Sequence, residues 1–227
     1  MQNIKSVLTT SIIIVSLIIP LIGICLLYDP HIKFEITNYI ISITIFTIYQ
    51  SFLSALISLI IGSIFAYYLK KNSEVGIIKL IVNLLSILFV MPTIIIVLGM
   101  LSFFNSFTNI YGPFGIVFCH VILNLPLATR IIYQSLNDIS GNEYILAEQM
   151  GLKKFETFLA TEWQIIKKNA PSLFALIFFI CFVSFTPVLI LGGSPKYSTI
   201  EVSIYQSVVF LNNYNTCLLY TSQSPRD

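Results

Sequence analysis

The sequence predicts an all-α, polytopic transmembrane helical bundle, and three observations carry that prediction. Of 227 residues, 56% are hydrophobic and only 10% charged, with a mean hydropathy of +0.90; soluble domains carry about 25% charge. Uncharged apolar runs occupy 6–28, 36–69, 80–119 and 169–195, each as long as the roughly 20 residues a helix needs to cross a ~30 Å hydrocarbon core. The lysines and arginines also collect on one side of the resulting topology. A net charge of +2 argues against a nucleic-acid partner.

The third run is too long for one crossing, and "NSFTNIYGPFG" at 105–115 interrupts it with Asn, Gly and Pro. Five spans follow, at about 7–28, 40–69, 77–104, 114–133 and 170–191. The first exceeds the about 7–15 apolar residues of a signal peptide, and no small-x-small site precedes "YDPHIKFE". It reads as a retained anchor. Lys5, Lys70, Lys71, Lys79, Arg130, Lys153, Lys154, Lys167 and Lys168 fall on one side of the five spans, and only Lys33 and Lys196 on the other. Basic residues accumulate on the cytoplasmic side, so the N-terminus is expected inside an inner-membrane, multi-pass chain.

Pro92, Pro126 and Pro187 each remove a backbone donor within a span, which favours a kink or, alternatively, a lining role. His120 and Asn124, one turn apart, read either as packed hydrogen-bonded groups or as pathway lining. Cys25, Cys119, Cys181 and Cys217 lack metal-ligand or CxxC spacing and read as free thiols, the first three in apolar runs. No metal and no cofactor is expected.

One stretch departs from the oily background. "EYILAEQMGLKKFETFLATEW", residues 143–163, carries six charged side chains. Ser140 with Glu143 three residues on has the arrangement of a capping box. Gly151 stands where a left-handed residue would end the first helix. A second helix, 152–163, places Leu152, Phe155, Phe158, Leu159 and Trp163 near one face, with Lys153, Lys154 and Glu156 largely off it. The segment therefore reads as helix, glycine turn, helix. Its apolar stripe either rests on lipid headgroups or enters a groove on a cytoplasmic partner.

"AEQMGLKKFETFLATEW" resembles the coupling loop, or EAA loop, of ABC importer permeases. Aligned on Gly151, the second Ala is Ala147; the Glu and first Ala positions hold Ile145 and Leu146, and the terminal Pro position holds Gln164. "YGPFGIVFCHVILNLPLATRIIYQSLNDI", "TEWQIIKKNAPSLFALIFFICFVSF" and "LGGSPKYSTIEVSIYQSVVF" further resemble the thiamine ABC transporter permeases of Gram-negative bacteria, as does "YQSFLSALISLIIGSIFAYYL". Ferric-iron permeases share the general plan and remain the alternative. The resemblance covers about 40–212.

It implies a type I ABC importer permease fold, truncated, with 1–39 an anchor span and periplasmic loop, 40–212 the permease domain, and a coupling loop at about 140–168. It also implies an ABC ATPase subunit on the cytoplasmic side, a periplasmic substrate-binding protein, and a second permease half or copy, all within membrane lipid. The residues it assigns to ATPase coupling are Ala147, Met150, Gly151, Leu152, Phe155, Phe158, Glu162 and Trp163.

The sequence has no GxxxxGK[ST] loop, no HExxH or GxSxG, and no paired carboxylates within a span, so a transport subunit is expected rather than an enzyme. An ion-coupled secondary transporter would favour ionisable residues inside the spans; only Arg130 and His120 qualify. "GGSPKYST", 192–199, faces the periplasm by topology, either as a flexible loop or as a contact for the binding protein. The tail at 213–227, "NYNTCLLYTSQSPRD", reads as non-native sequence ending a fragment of the N-terminal half, the alternative being a genuine short tail.

Overall fold

In a computed structural model of the protein, the described residues are 18, 38–72, 76–104, 109–193 and 197–211, and among them α-helix is the regular structure. The helices are α1 Asn38–Lys71, α2 Gly76–Val90, α3 Thr93–Phe104, α4 Pro113–Asn137, α5 Gly141–Gln149, α6 Lys154–Ala160, α7 Glu162–Phe182, α8 Thr186–Leu191 and α9 Ile200–Leu211. Ile43–Val202 form one compact unit, which holds the contacts below. The second unit comprises Met1–Ser42 and Ser203–Asp227; its described residues are 18, the first turn of α1 and most of α9. The expected anchor span at 7–28, with Lys5, Cys25, Lys33, Lys196, Cys217 and the tail, lies outside the described residues apart from Ile18.

α1 is hydrophobic along its whole length, but its two faces differ in size and in polarity. Thr47, Gln50, Ser51, Ser54, Ala55, Ser58, Gly62 and Ala66 are buried, while Ile45, Ile48, Tyr49, Phe52, Ile60, Ile64, Phe65 and Tyr68 are exposed. Lipid tails are as apolar as leucine, so helices in a bilayer gain most where small residues let backbones approach. The approach is close at Gly62, where an added Cβ would stand 2.6 Å from the Ala128 Cβ and 3.1 Å from the Thr129 amide nitrogen.

α4 is the central helix, packed against α2, α3, α7 and α8 as well as α1. One apolar cluster joins Ala55 and Ala66 of α1, Ala128, Ile132 and Leu136 of α4, and Ile166, Leu173 and Ile177 of α7. A second joins Val97 and Met100 of α3, Ile116 and Cys119 of α4, Val188 and Leu191 of α8, and Val202 of α9. Between them lies a polar seam. Gln50 Nε2 donates to Ser51 Oγ at 2.8 Å and to the Cys181 carbonyl at 3.2 Å. Asn124 Nδ2 donates to the His120 carbonyl at 2.8 Å and to Cys181 Sγ at 3.3 Å. His120 is 1% exposed. Asn124 is both packed and hydrogen-bonded, whereas His120 is packed with neither ring nitrogen hydrogen-bonded among the described residues.

The spans expected at 40–69 and 114–133 appear as α1 and α4. The span expected at 77–104 is not one helix. It breaks at Met91–Pro92 into α2 and α3, which cross at 105°. At 1.5 Å per residue, their 15 and 12 residues reach about 22 and 18 Å, short of a ~30 Å core. Among the described residues, three helical stretches are therefore long and apolar enough to cross alone, α1, α4 and Lys154–Phe182, with a fourth crossing only if the bent pair counts as one.

The span expected at 170–191 is displaced: α7 runs from Glu162 and stops at Phe182. Continuing it through Pro187 would set the proline ring against the Val183 carbonyl and remove a bond, so the chain turns at 183–185 and starts α8 with Pro187 in its first turn. Of the three prolines singled out, Pro92 marks a break, Pro187 a helix start, and only Pro126 lies inside a continuous helix. Pro171 also lies inside α7.

Gly62→Leu is expected to lower the melting temperature of the purified chain, at an overpacking cost of about 1–3 kcal/mol. Gly99→Leu, where an added Cβ meets nothing within 4 Å, should melt like the parent; equal curves for both variants would refute the close α1–α4 contact. Cys119 and Cys181 are free and fully buried. With Cys25 and Cys217 replaced by Ser, maleimide should label neither of them until the protein is denatured.

Candidate functional site: the polar helix pair

The helix pair sits where α1 and α4 end and α7 begins. α5 is capped by Ser140 in an extended conformation (ψ 145°), yet the Ser140 side chain makes no capping bond. Glu143 instead donates its N–H to the Ser140 carbonyl at 3.1 Å. The capping box expected here is therefore not formed. Its reach-back half appears one helix later: the Lys153 N–H donates to Glu156 Oε2 at 2.7 Å at the start of α6. A lysine side chain has no acceptor, so the reciprocal half cannot form.

The glycine turn forms as the sequence predicts. Gly151 has φ +69°. Its N–H donates to the Glu148 carbonyl at 2.9 Å, and the Leu152 N–H reaches back to the Ala147 carbonyl at 3.1 Å. Those two bonds are the paired closure of a Schellman motif, with Gly151 as the left-handed residue. Ala147, 5% exposed, is the buried side chain of α5.

The second helix is shorter than the 152–163 expected. It ends at Ala160, and Thr161 leaves the helical region at φ −110°, ψ −80°. The Thr157 carbonyl accepts both the Thr161 N–H at 2.9 Å and the Thr161 hydroxyl at 2.7 Å. Glu162 and Trp163 consequently open the crossing helix α7 instead of closing the loop helix. A carboxylate in that first turn also complements the positive end of the helix dipole.

The aromatic residues of the stripe connect to one another but divide by exposure. Phe155 is 69% exposed, Met150 69% and Trp163 44%. Phe158 is half-buried and meets Tyr67 of α1 edge-on at 5.1 Å between ring centroids. It also lies 6.5 Å from Phe155 and 6.4 Å from Trp163. Leu152 is half-buried. So the predicted residues form two sets: Ala147, Gly151, Leu152 and Phe158 shape and anchor the pair, while Met150, Phe155 and Trp163 face outward.

Tyr144 joins the site although its sequence position gave no signal. Its hydroxyl donates to Glu162 Oε1 at 3.0 Å, and Glu162 Oε2 meets the Thr161 hydroxyl. Burial first, then the charge and hydrogen bond of Glu162, push the Tyr144 phenol up to about 12. It therefore remains a neutral donor across the physiological range. The contribution of this bond is fully present below the ordinary tyrosine value near 10 and is lost only as pH rises through about 12. The partners are 18 residues apart across a turn, a separation no helical period links. Tyr67 was likewise invisible, since its partner lies on another element.

Comparison with known proteins gives a consistent set of relatives. The chain is 34% identical over 189 residues to the thiamine transport system permease protein ThiP of Escherichia coli, covering 76% of this chain and 35% of that protein. It is 32% identical over 188 residues to the protein of that name from Haemophilus influenzae, covering 76% and 35%. The Brucella abortus protein of the same name is 32% identical over 198 residues, covering 81% and 36%. The chain thus spans about a third of the length of these curated relatives. No protein-family model matches it.

Gly151→Ala keeps the left-handed turn at a cost of about 1–2 kcal/mol, because a Cβ there meets no neighbour within 4 Å. Gly151→Pro also removes the donor to Glu148 and cannot adopt the positive φ. Trypsin cleavage after Lys153 and Lys154 should accelerate in the order Gly, Ala, Pro. A proline variant cut at the parent rate would contradict the Schellman closure.

Proposed function

Because the chain is homologous to thiamine transport system permeases over 76–81% of its own residues, we propose that it is part of the membrane-spanning permease of an ATP-driven importer for thiamine or its phosphates. That similarity carries the reading. Helices long and apolar enough to cross a membrane, and a compact helix pair presenting exposed aromatic and apolar side chains, are consistent with it.

In this reading, 40–212 belongs to the permease domain and the ends of α1 and α4 face the cytoplasm, as Lys70, Lys71, Lys153 and Lys154 favour. A separate ATPase subunit seats Met150, Phe155 and Trp163 in a groove. Closure of the ATPase on nucleotide then presses the helix pair, and the pair moves α7 and, through Phe158 on Tyr67, α1. A substrate-binding protein works at the opposite face, and a second permease half or copy completes the pathway. Hydrolysis belongs to the ATPase, so this chain is a transport subunit. An apolar helix face used in this way gives a reversible mechanical contact.

Phe155→Asp tests the coupling surface, since an exposed substitution shifts stability by about 0.5 kcal/mol or less. In a full-length permease carrying this segment, the variant should reach the membrane at parental levels but fail to co-purify the ATPase. The parent should restore thiamine uptake to a transport-deficient strain, with uptake needing ATP and surviving collapse of the membrane potential. Uptake that follows an ion gradient, or labelling of Lys153 and Lys154 from the periplasm, would overturn the proposal.

A further inference from the structure

The helix pair has little core of its own: within α5 and α6, Ala147 is the buried residue. A load applied to its exposed face must therefore reach the crossing helices through specific links. Along the chain, the route from α5 to α7 passes Gly151, the seven residues of α6 and the non-helical Thr161. Two of those points are places where the helix is interrupted, and interruptions absorb displacement by rotating backbone angles. A rigid push entering α5 would dissipate there.

One side-chain link bypasses both interruptions. Tyr144 lies in the first half of α5, and its hydroxyl reaches Glu162, the first residue of α7, at 3.0 Å. Both ends of the link are held. The Tyr144 ring packs against the cluster containing Leu136, Ile139 and Ile166. Glu162 is fixed by its second oxygen against the hydroxyl of Thr161, which is 5% exposed. A hydroxyl has one proton to give, so Thr161 serves the Thr157 carbonyl and the carboxylate alternately, tying the end of α6 to the start of α7.

We propose that Tyr144 and Glu162 are positioning residues that couple α5 directly to the crossing helix α7, so that displacement of the exposed loop face becomes displacement of α7. This rests on the reading of the helix pair as the surface on which an ATPase acts. It assigns Tyr144 a role that its position in the sequence does not suggest. It also separates two tasks within the loop: Met150, Phe155 and Trp163 receive the partner, whereas Tyr144 and Glu162 pass its movement on.

The test uses a full-length permease containing this segment, assembled with its ATPase, and two readouts: ATPase co-purification, and thiamine uptake per bound ATPase. Tyr144→Phe removes the hydroxyl and keeps the packed ring; Glu162→Ala removes the acceptor; Glu162→Gln keeps a carbonyl that accepts from Tyr144. Tyr144→Phe and Glu162→Ala should retain parental co-purification while uptake per complex falls roughly tenfold, the scale of one lost hydrogen bond to a charged group. Glu162→Gln should restore most of that uptake. Parental uptake in Tyr144→Phe overturns the link. Loss of co-purification in that variant also overturns it, because the bond would then build the docking face. A parent that binds no ATPase overturns the reading beneath it, and the link with it.

Discussion

The close approach of α1 to α4 at Gly62 and Ala128 shows the physical constraint under which this bundle packs. Inside a bilayer, burying a leucine gains little, because the lipid it leaves is equally apolar. Contact between backbones, and between the small side chains that permit it, takes over the work that hydrophobic burial does in water. The stripe Ser51, Ser54, Ser58, Gly62 and Ala66 supplies that surface along α1. α4 is the common neighbour of α2, α3, α7 and α8, and α7 packs against Ile132 and Leu136.

The same constraint bears on the polar groups that the bundle does bury. Gln50, Asn124 and His120 are buried, while isoleucines and phenylalanines face outward. A polar group turned toward hydrocarbon would forfeit its hydrogen bonds. Gln50 and Asn124 instead converge on Cys181 from two different helices. That convergence ties α7 to both α1 and α4, since Cys181 accepts through its carbonyl and through its sulfur.

Where the chain departs from regular helix, each departure has a local cause of a different legibility. Gly151 was readable, because a glycine after an alternating polar and apolar helix has one favoured use and the backbone takes it. Pro92 was readable as a disturbance but not as a 105° turn, since proline removes one bond and leaves the size of the bend to its neighbours. The break at Thr161 was not readable at all. Threonine is tolerated in helices, and no local pattern in the sequence marks the point where α6 gives way to α7. The Ser140 cap failed for a related reason: the residue pattern permits a bond that the observed side chain does not make.

By itself, the sequence determined the helical class, the extents of α1 and α4, the position of the polar helix pair and the left-handed turn at Gly151. Those properties follow from composition, run length and local backbone preference, which act over a few residues. Tertiary structure alone decided which face of α1 turns inward, that 77–104 folds as two crossed helices, that Glu162 opens α7, and that Tyr144 is its partner. Each of these depends on which surfaces meet in space, and in a chain hydrophobic on nearly every face, residue size and distant hydrogen-bond partners choose among arrangements that hydropathy leaves equivalent.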